Sequence, residues 1–208
     1  MALPARTRPG PDETRARILE KSEELFRRLG FAKTAVADIA AELGMSPANV
    51  YRFFASKLDI AEALAKERRE VEFKLYAAIV QRSDISAGEK LRTVLMDDAL
   101  RIHDTSTEQP RIVEISDIIA RERPDFWADS LAEERVYLRE ILNEGIAKGE
   151  FRPVQDVDKL ADTIQSAIYK FRTPSFSIRM AKEDLIRDLG AVLEIILSGL
   201  AKDQARAS

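Results

Sequence analysis

Apolar residues recur at helical spacing along most of the chain. Ile18, Leu25, Phe26 and Leu29 share one face of a first segment; Asp12 and Glu13 precede it where a helix N-terminus favours anions. Arg27 and Arg28 lie near its end, and Gly30 is a stop signal. Val36, Ile39, Ala40 and Leu43 form the face of a second segment, which Thr34 would cap and Gly44 would end. Only Met45 separates that glycine from Ser46, an N-cap acceptor, and Pro47, which suits a first helical position because its missing N–H costs nothing there. The third helix is expected to run to about Phe54. Two short helices joined by a glycine-bearing turn of this length form a helix-turn-helix pattern.

Beyond Ser56 and Lys57 a long helix is predicted to about Gln81, followed by one over residues 87–104. Pro110 and Pro124 bracket a shorter helix, and a longer one over residues 126–148 ends at Lys148 and Gly149. Residues 157–171 carry Leu160, Ile164, Ala167 and Ile168 on one face, and residues 182–200 carry Leu185, Leu189, Val192, Leu193, Ile196 and Leu200. Residues 171–177, with Pro174, read as the loop between those two. No period-two run bounded by hairpin turns stands out, so the fold class is all-α with about nine helices. Residues 1–11 hold three Pro and one Gly among Arg6 and Arg8, which suits a mobile basic arm or a plain solvated tail. The organisation that follows is an arm over residues 1–11, a helix-turn-helix domain over 12–56 and a helical body over 57–208.

Composition narrows the chemistry. The 208 residues include no Cys and a single histidine, His103, which leaves no thiolate site, no disulfide frame and little basis for a zinc centre or a histidine-based catalytic site. Neither a metal nor another cofactor is expected, and the chain does not read as an enzyme. The longest apolar runs are short, and no apolar signal run opens the sequence, so the cytoplasm is the expected address and no membrane partner is expected. The net charge is −3, unevenly spread: residues 1–58 carry ten basic against seven acidic groups, the remainder 23 against 29. A basic head and an acidic body suit a polyanion at one end only.

The third helix is short with an exposed start, so its first residues can enter a DNA major groove. Ser46, Pro47, Ala48, Asn49, Arg52 and Phe53 are placed off the core face. Arg52 offers the fork that a guanine edge accepts; the Asn49 amide suits adenine or a phosphate. Val50 and Phe54 are assigned to a small core with Ile18, Leu25, Ile39 and Leu43.

From Thr14 to Ala65 the chain resembles the TetR family of transcriptional regulators. The resemblance rests on Ile18, Leu25, Phe26, Gly30-Phe31, Ile39-Ala40, Leu43-Gly44-Met45-Ser46, Val50-Tyr51-Arg52-Phe53-Phe54 and Ser56-Lys57. It implies that the Tyr51 hydroxyl and the Lys57 ammonium contact phosphates, which position a protein without reading sequence. Positions 35 and 37, often polar or basic in that family, are alanine here, so Lys33 and Thr34 are expected to supply backbone contacts instead.

The resemblance further implies a body that binds a small effector and dimerises through its last two long helices. Ile164 and Ile168 with Leu189, Val192, Leu193 and Ile196 are the candidate interface, although the same faces could bury each other within one subunit. His103, Phe126, Trp127, Tyr137 and Tyr169 are candidate pocket residues; aromatic residues at helical spacing also serve as core, and a histidine there can be satisfied by packing. The function expected is a homodimeric, sequence-specific repressor on double-stranded DNA, released from a palindromic operator by a small-molecule effector. The alternative is an effector-independent DNA-binding or partner-binding protein with the same head.

Overall fold

The computed structural model describes residues 10–202. The expected arm falls outside them, except that Gly10 is the N-cap of the first helix and Pro11 its first residue. The helices are α1 Pro11–Leu29, α2 Val36–Glu42, α3 Pro47–Tyr51, α4 Lys57–Val80, α5 Ala87–Glu108, α6 Arg111–Glu122, α7 Pro124–Ala147, α8 Val157–Ala167, α9 Pro174–Ser177 and α10 Lys182–Leu200. Among the described residues there is no strand, only a lone antiparallel bridge between Phe151 and Ala201. These residues form two compact units, a head and a body, divided between Glu67 and Arg68 within α4.

Three expectations shift. The third helix ends at Tyr51, not near Phe54. The helix read over 157–171 stops at Ala167, and a 3₁₀ turn, Tyr169–Phe171, follows. The tighter 3₁₀ winding eclipses side chains three apart, so Ile168 and Phe171 both stay fully buried. Finally, the loop expected at 171–177 contains α9, with Pro174 at its start, which makes ten α-helices among the described residues where about nine were expected.

Caps explain most of the boundaries. Ser86 and Glu89 form a reciprocal box at the start of α5: Glu89 N–H donates to Ser86 Oγ at 3.1 Å and Ser86 N–H to Glu89 Oε2 at 2.9 Å. Asp156 accepts from Lys159 N–H at 2.8 Å at the start of α8. At the end of α7 Glu150 N–H reaches the Gly145 carbonyl at 2.9 Å and Gly149 N–H the Ile146 carbonyl at 3.1 Å, a Schellman closure. That closure folds Phe151 back onto α7, its ring lying where a side chain at Gly145 would stand. Arg152 N–H then donates to Leu200 O at 2.8 Å and Lys202 N–H to Glu150 O at 3.3 Å, which clasps the end of α10 to the segment after α7.

The core of the body is built by Leu91, Val94 and Leu95 of α5, Leu138, Ile141 and Leu142 of α7, Ile164 and Ile168 near the end of α8, and Leu185, Leu189 and Leu193 of α10. No helix among the described residues is long and apolar enough to cross a membrane.

Candidate nucleic-acid interface and the body behind it

The head is organised around Ile18, Leu25, Phe26, Ile39 and Val50, each no more than 1% exposed, with Phe54 at 6%. Leu43 is only half-buried. The turn between α2 and α3 is fixed by backbone chemistry: Met45 N–H donates to Ala40 O at 2.9 Å and Gly44 N–H to Ala41 O at 3.0 Å. This closure requires φ +66° at Gly44, where a side chain would be strained. Ser46 then caps α3 by accepting from Asn49 N–H at 3.3 Å, with Pro47 at the first helical position.

This geometry leaves the start of α3 facing solvent. Ser46, Pro47, Ala48 and Arg52 are exposed, Tyr51 is 52% exposed, and Asn49 and Phe53 are half-buried. The Asn49 amide is only loosely engaged, at 3.8 Å from Met45 Sδ. Beside α3 lies an open cleft of about 440 Å³, lined by Lys33, Thr34, Tyr51, Ser56 and Lys57 together with small apolar side chains. Lys33 is exposed at its rim.

One residue of the cleft differs from its sequence-based assignment. Thr34 does not cap α2: it is 1% exposed, and its hydroxyl donates to Gly30 O at 2.8 Å. Ala35 holds the N-cap position, and its N–H donates to Asp38 Oδ2 at 2.8 Å. The Lys57 ammonium turns inward, donating to Phe31 O at 2.6 Å and Thr34 O at 2.7 Å, and lies 4.3 Å from the centre of the Phe31 ring.

In the body, the five candidate pocket residues stand in different surroundings. Tyr137 belongs to an aromatic cluster, stacked on Phe73 at 5.6 Å and edge-on to Tyr76 at 5.9 Å. Phe126 and Trp127 pair with each other at 5.4 Å. His103 is buried, with Nε2 3.0 Å from Met180 O, which fixes its proton on that nitrogen as the donor. Tyr169 is 59% exposed. Of the six candidate interface residues, Ile164, Ile168, Leu189 and Leu193 are spent in the subunit's own core, whereas Val192 and Ile196 are partly buried beside it. Elsewhere on α10 Ile186 and Ile195 are exposed, on opposite flanks of the helix.

Sequence periodicity does not mark the most unusual feature of the body. Arg172, just after the 3₁₀ turn, donates through both terminal nitrogens to Glu134, at 2.6 and 2.8 Å, and through Nε to Asp98. Arg101 reaches the same Asp98 at 2.9 Å; Arg69 pairs with Glu72 at 2.8 Å and lies 3.6 Å from Glu134. Three arginines and three carboxylates therefore balance, with Asp98 and Glu134 fully buried. Burial alone would raise the Asp98 carboxyl, but Arg172 beside it, helped by Arg69 and Arg101, holds it below the usual carboxylate range. Glu72 goes the other way, pushed up by burial and by Asp98. The residues are 29 to 103 positions apart across the set 69, 98, 134 and 172, so no local signal could have found them, although Arg101 and Asp98 stand one helical turn apart.

Known proteins agree with this architecture. Residues 18–64 match the family model described as bacterial regulatory proteins, tetR family, and residues 87–193 match that of the tetracyclin repressor-like C-terminal domain. The HTH-type transcriptional repressor KstR2 of Mycobacterium tuberculosis is 29% identical over 157 residues, covering 69% of this chain and 72% of its own. KstR2 of Rhodococcus jostii is 27% identical over 207 residues, covering 95% and 96%. Among solved structures, a TetR/AcrR-family regulator from Thermobifida fusca matches with TM-score 0.67 at 22% identity, over 93% of this chain and 99% of that one. The M. tuberculosis KstR2 structure matches with TM-score 0.53 at 25% identity, over 95% and 100%. With both of its units matched, the chain belongs to the TetR family and is a helix-turn-helix, DNA-binding transcriptional regulator.

Proposed function

We propose that the chain is a homodimeric repressor whose α3 reads a palindromic operator and which a small molecule entering the body releases. The observation that carries the DNA reading is the solvent-facing start of α3, held by the Gly44 closure, with Arg52 exposed at its end. Ser46, Pro47, Ala48, Asn49, Arg52 and Phe53 approach base edges and sugars, while Lys33 and Tyr51 flank the cleft where a phosphate fits. The buried hydroxyl of Thr34 takes no part; that residue serves through its place in the loop.

Selection of duplexes from a random pool by the purified chain, at about 150 mM salt to suppress phosphate-only binding, tests this reading. Enrichment of an inverted repeat is the expected result; enrichment of nothing would sink it. Arg52→Ala is expected to relax specificity at one base pair per half-site, by about 1–3 kcal/mol, in competition binding against single-base operator variants. Equal discrimination by parent and variant would remove Arg52 from base reading.

Dimerisation is assigned to the side of α10 that carries Ile195, 73% exposed, with Gly199 one turn further on and nothing within 4 Å of a Cβ built there. Bare backbone beside an exposed isoleucine lets a second helix approach closely. Ile195→Asp is therefore expected to shift the sedimenting species to monomer and to abolish half-site cooperativity; an unchanged dimer would place the interface elsewhere.

Release by an effector follows as a population shift: a ligand that prefers a conformer unable to span both half-sites weakens operator binding by that preference. The M. tuberculosis relative is known as a ketosteroid transcriptional regulator, so ketosteroids head the screen for release.

A further inference from the structure

We infer that the small molecule bound by the body is an organic anion, an apolar ring bearing a carboxylate, whose charged end is received between Arg69 and Arg101 beside the Tyr76 hydroxyl. The inference rests on the effector reading above and names the chemistry of that site. Among the buried polar atoms that complete no hydrogen bond are Arg69 Nε, Arg101 Nε, Trp127 Nε1 and the Tyr76 hydroxyl. All four offer a hydrogen, so the partner they want is an acceptor, and a buried donor without one is costly. They gather about one carboxylate pair. Arg172 joins Asp98 to Glu134; Arg101 stands 2.9 Å from the first, and Arg69 3.6 Å from the second. Tyr76 is 1% exposed and lies close enough to Asp98 to help lower its carboxyl. Arg69 also donates to Ser130 O at 3.4 Å, on the turn of α7 that follows Trp127. The apolar wall is aromatic: the Arg69 guanidinium lies 4.9 Å from the centre of the Phe73 ring and that of Arg101 6.0 Å from the Tyr76 ring, and both rings pack on Tyr137.

Charge favours an anion over a neutral acceptor. The three arginines and three carboxylates balance only while Glu72 is ionised, and burial together with Asp98 pushes its carboxyl up. Glu72 is therefore the member of the set that gives up its charge most readily, and a ligand carboxylate can take its place on Arg69, which it meets at 2.8 Å. A carboxylate accepts from a guanidinium more strongly than any neutral oxygen does. The Arg101 side chain, 34% exposed, opens the set to solvent, while Asp98 beside it is fully buried.

Trp127 is the chain's single tryptophan, so its fluorescence reports binding at this place. The probes are 4-phenylbutyrate and 4-phenylbutyramide, which share ring and chain and differ in charge. Each is titrated at pH 7 into the DNA-free parent, Arg101→Met and Tyr76→Phe. Arg101→Met leaves Asp98 with Arg172 as its cation, and the amide checks the fold, because a collapsed body loses both probes alike.

The parent is expected to bind the acid about tenfold more tightly than the amide, the measure of a charge-assisted hydrogen bond. Arg101→Met is expected to abolish that preference and Tyr76→Phe to cut it about threefold, with the amide bound as before in both. Equal binding of the two probes by the parent, no saturable change with the acid, or a preference that survives both substitutions overturns the inference. Should Arg101→Met lose both probes, the ratio in Tyr76→Phe decides. The effector reading fails separately: if the acid binds as expected yet leaves the selected duplex bound, release by this site fails and the anion site stands. If a neutral compound releases the duplex equally from parent and Arg101→Met while the acid binds neither, the anion inference is overturned and release stands.

Discussion

Replacing Arg172 by Met is expected to remove about 3–5 kcal/mol of stability from the body, because it strands Asp98 and Glu134 as buried carboxylates without their principal cation. Exposed ion pairs do not behave this way. Arg187 with Asp184, or Lys159 with Asp162, are exposed pairs screened by water, and their loss would pass nearly unnoticed. Urea unfolding at pH 7, followed by helical circular dichroism, measures the difference; a loss below about 1 kcal/mol would show that water reaches the carboxylates.

Acid supplies a second readout with a definite sign. Asp98 titrates lower in the folded chain than in the unfolded one, so its contribution is full above the unfolded value of about 3.9 and is lost as pH falls through the folded value. Without Arg172 the remaining influence of burial raises that carboxyl, which then takes up a proton on folding. The gap between parent and variant is therefore expected to narrow as pH is lowered from 7 towards 4, and a constant gap would contradict the pairing.

Gly145→Val is expected to cost at least about 3 kcal/mol, although glycine inside an exposed helix is ordinarily a weakness. A Cβ at this position would stand 2.2 Å from Phe151 Cδ2 and 2.4 Å from Cε2, and Phe151 is 5% exposed, so the ring has little room to retreat. Even Gly145→Ala, which gains about 1 kcal/mol of helix propensity elsewhere, is expected to destabilise here. The cost should fall when Phe151→Ala is present, because the two residues compete for one space; the double-mutant cycle in thermal unfolding reads that coupling. Additive losses, or a stabilised Gly145→Ala, would show that the ring does not occupy this groove.

The head was legible in the sequence because its signals are local. Gly44, Ser46 and Pro47 specify a turn and a cap within four residues, and Ile18, Leu25, Ile39 and Val50 repeat at the helical period that buries them. Thr34 was misread as a cap because a threonine hydroxyl can accept from a helix N–H or donate to a carbonyl, and here it donates to the Gly30 carbonyl four residues back.

The body was legible as helices and opaque as a site. Periodicity marks Ile164, Leu189 and Leu193 as buried without saying by what, so a subunit core and a subunit interface look alike. The break after Ala167 was hidden because the apolar pattern runs on through Ile168 and Phe171. The partners of Arg172 lie 38 and 74 positions away, a pairing that only the assembled fold creates.

The clasp between Glu150–Arg152 and Leu200–Lys202 sets an order on biosynthesis. Domains generally fold as units as they leave the ribosome, the N-terminal one first. The head's own contacts, those of Lys57 to the Phe31 and Thr34 carbonyls among them, can form early in translation, whereas the body lacks its last helix and its fastening until Lys202 has emerged. A nascent chain stalled anywhere between the two is therefore expected to carry a finished DNA-reading module on an unfinished body, with the apolar face of α5 still waiting for α10 to cover it.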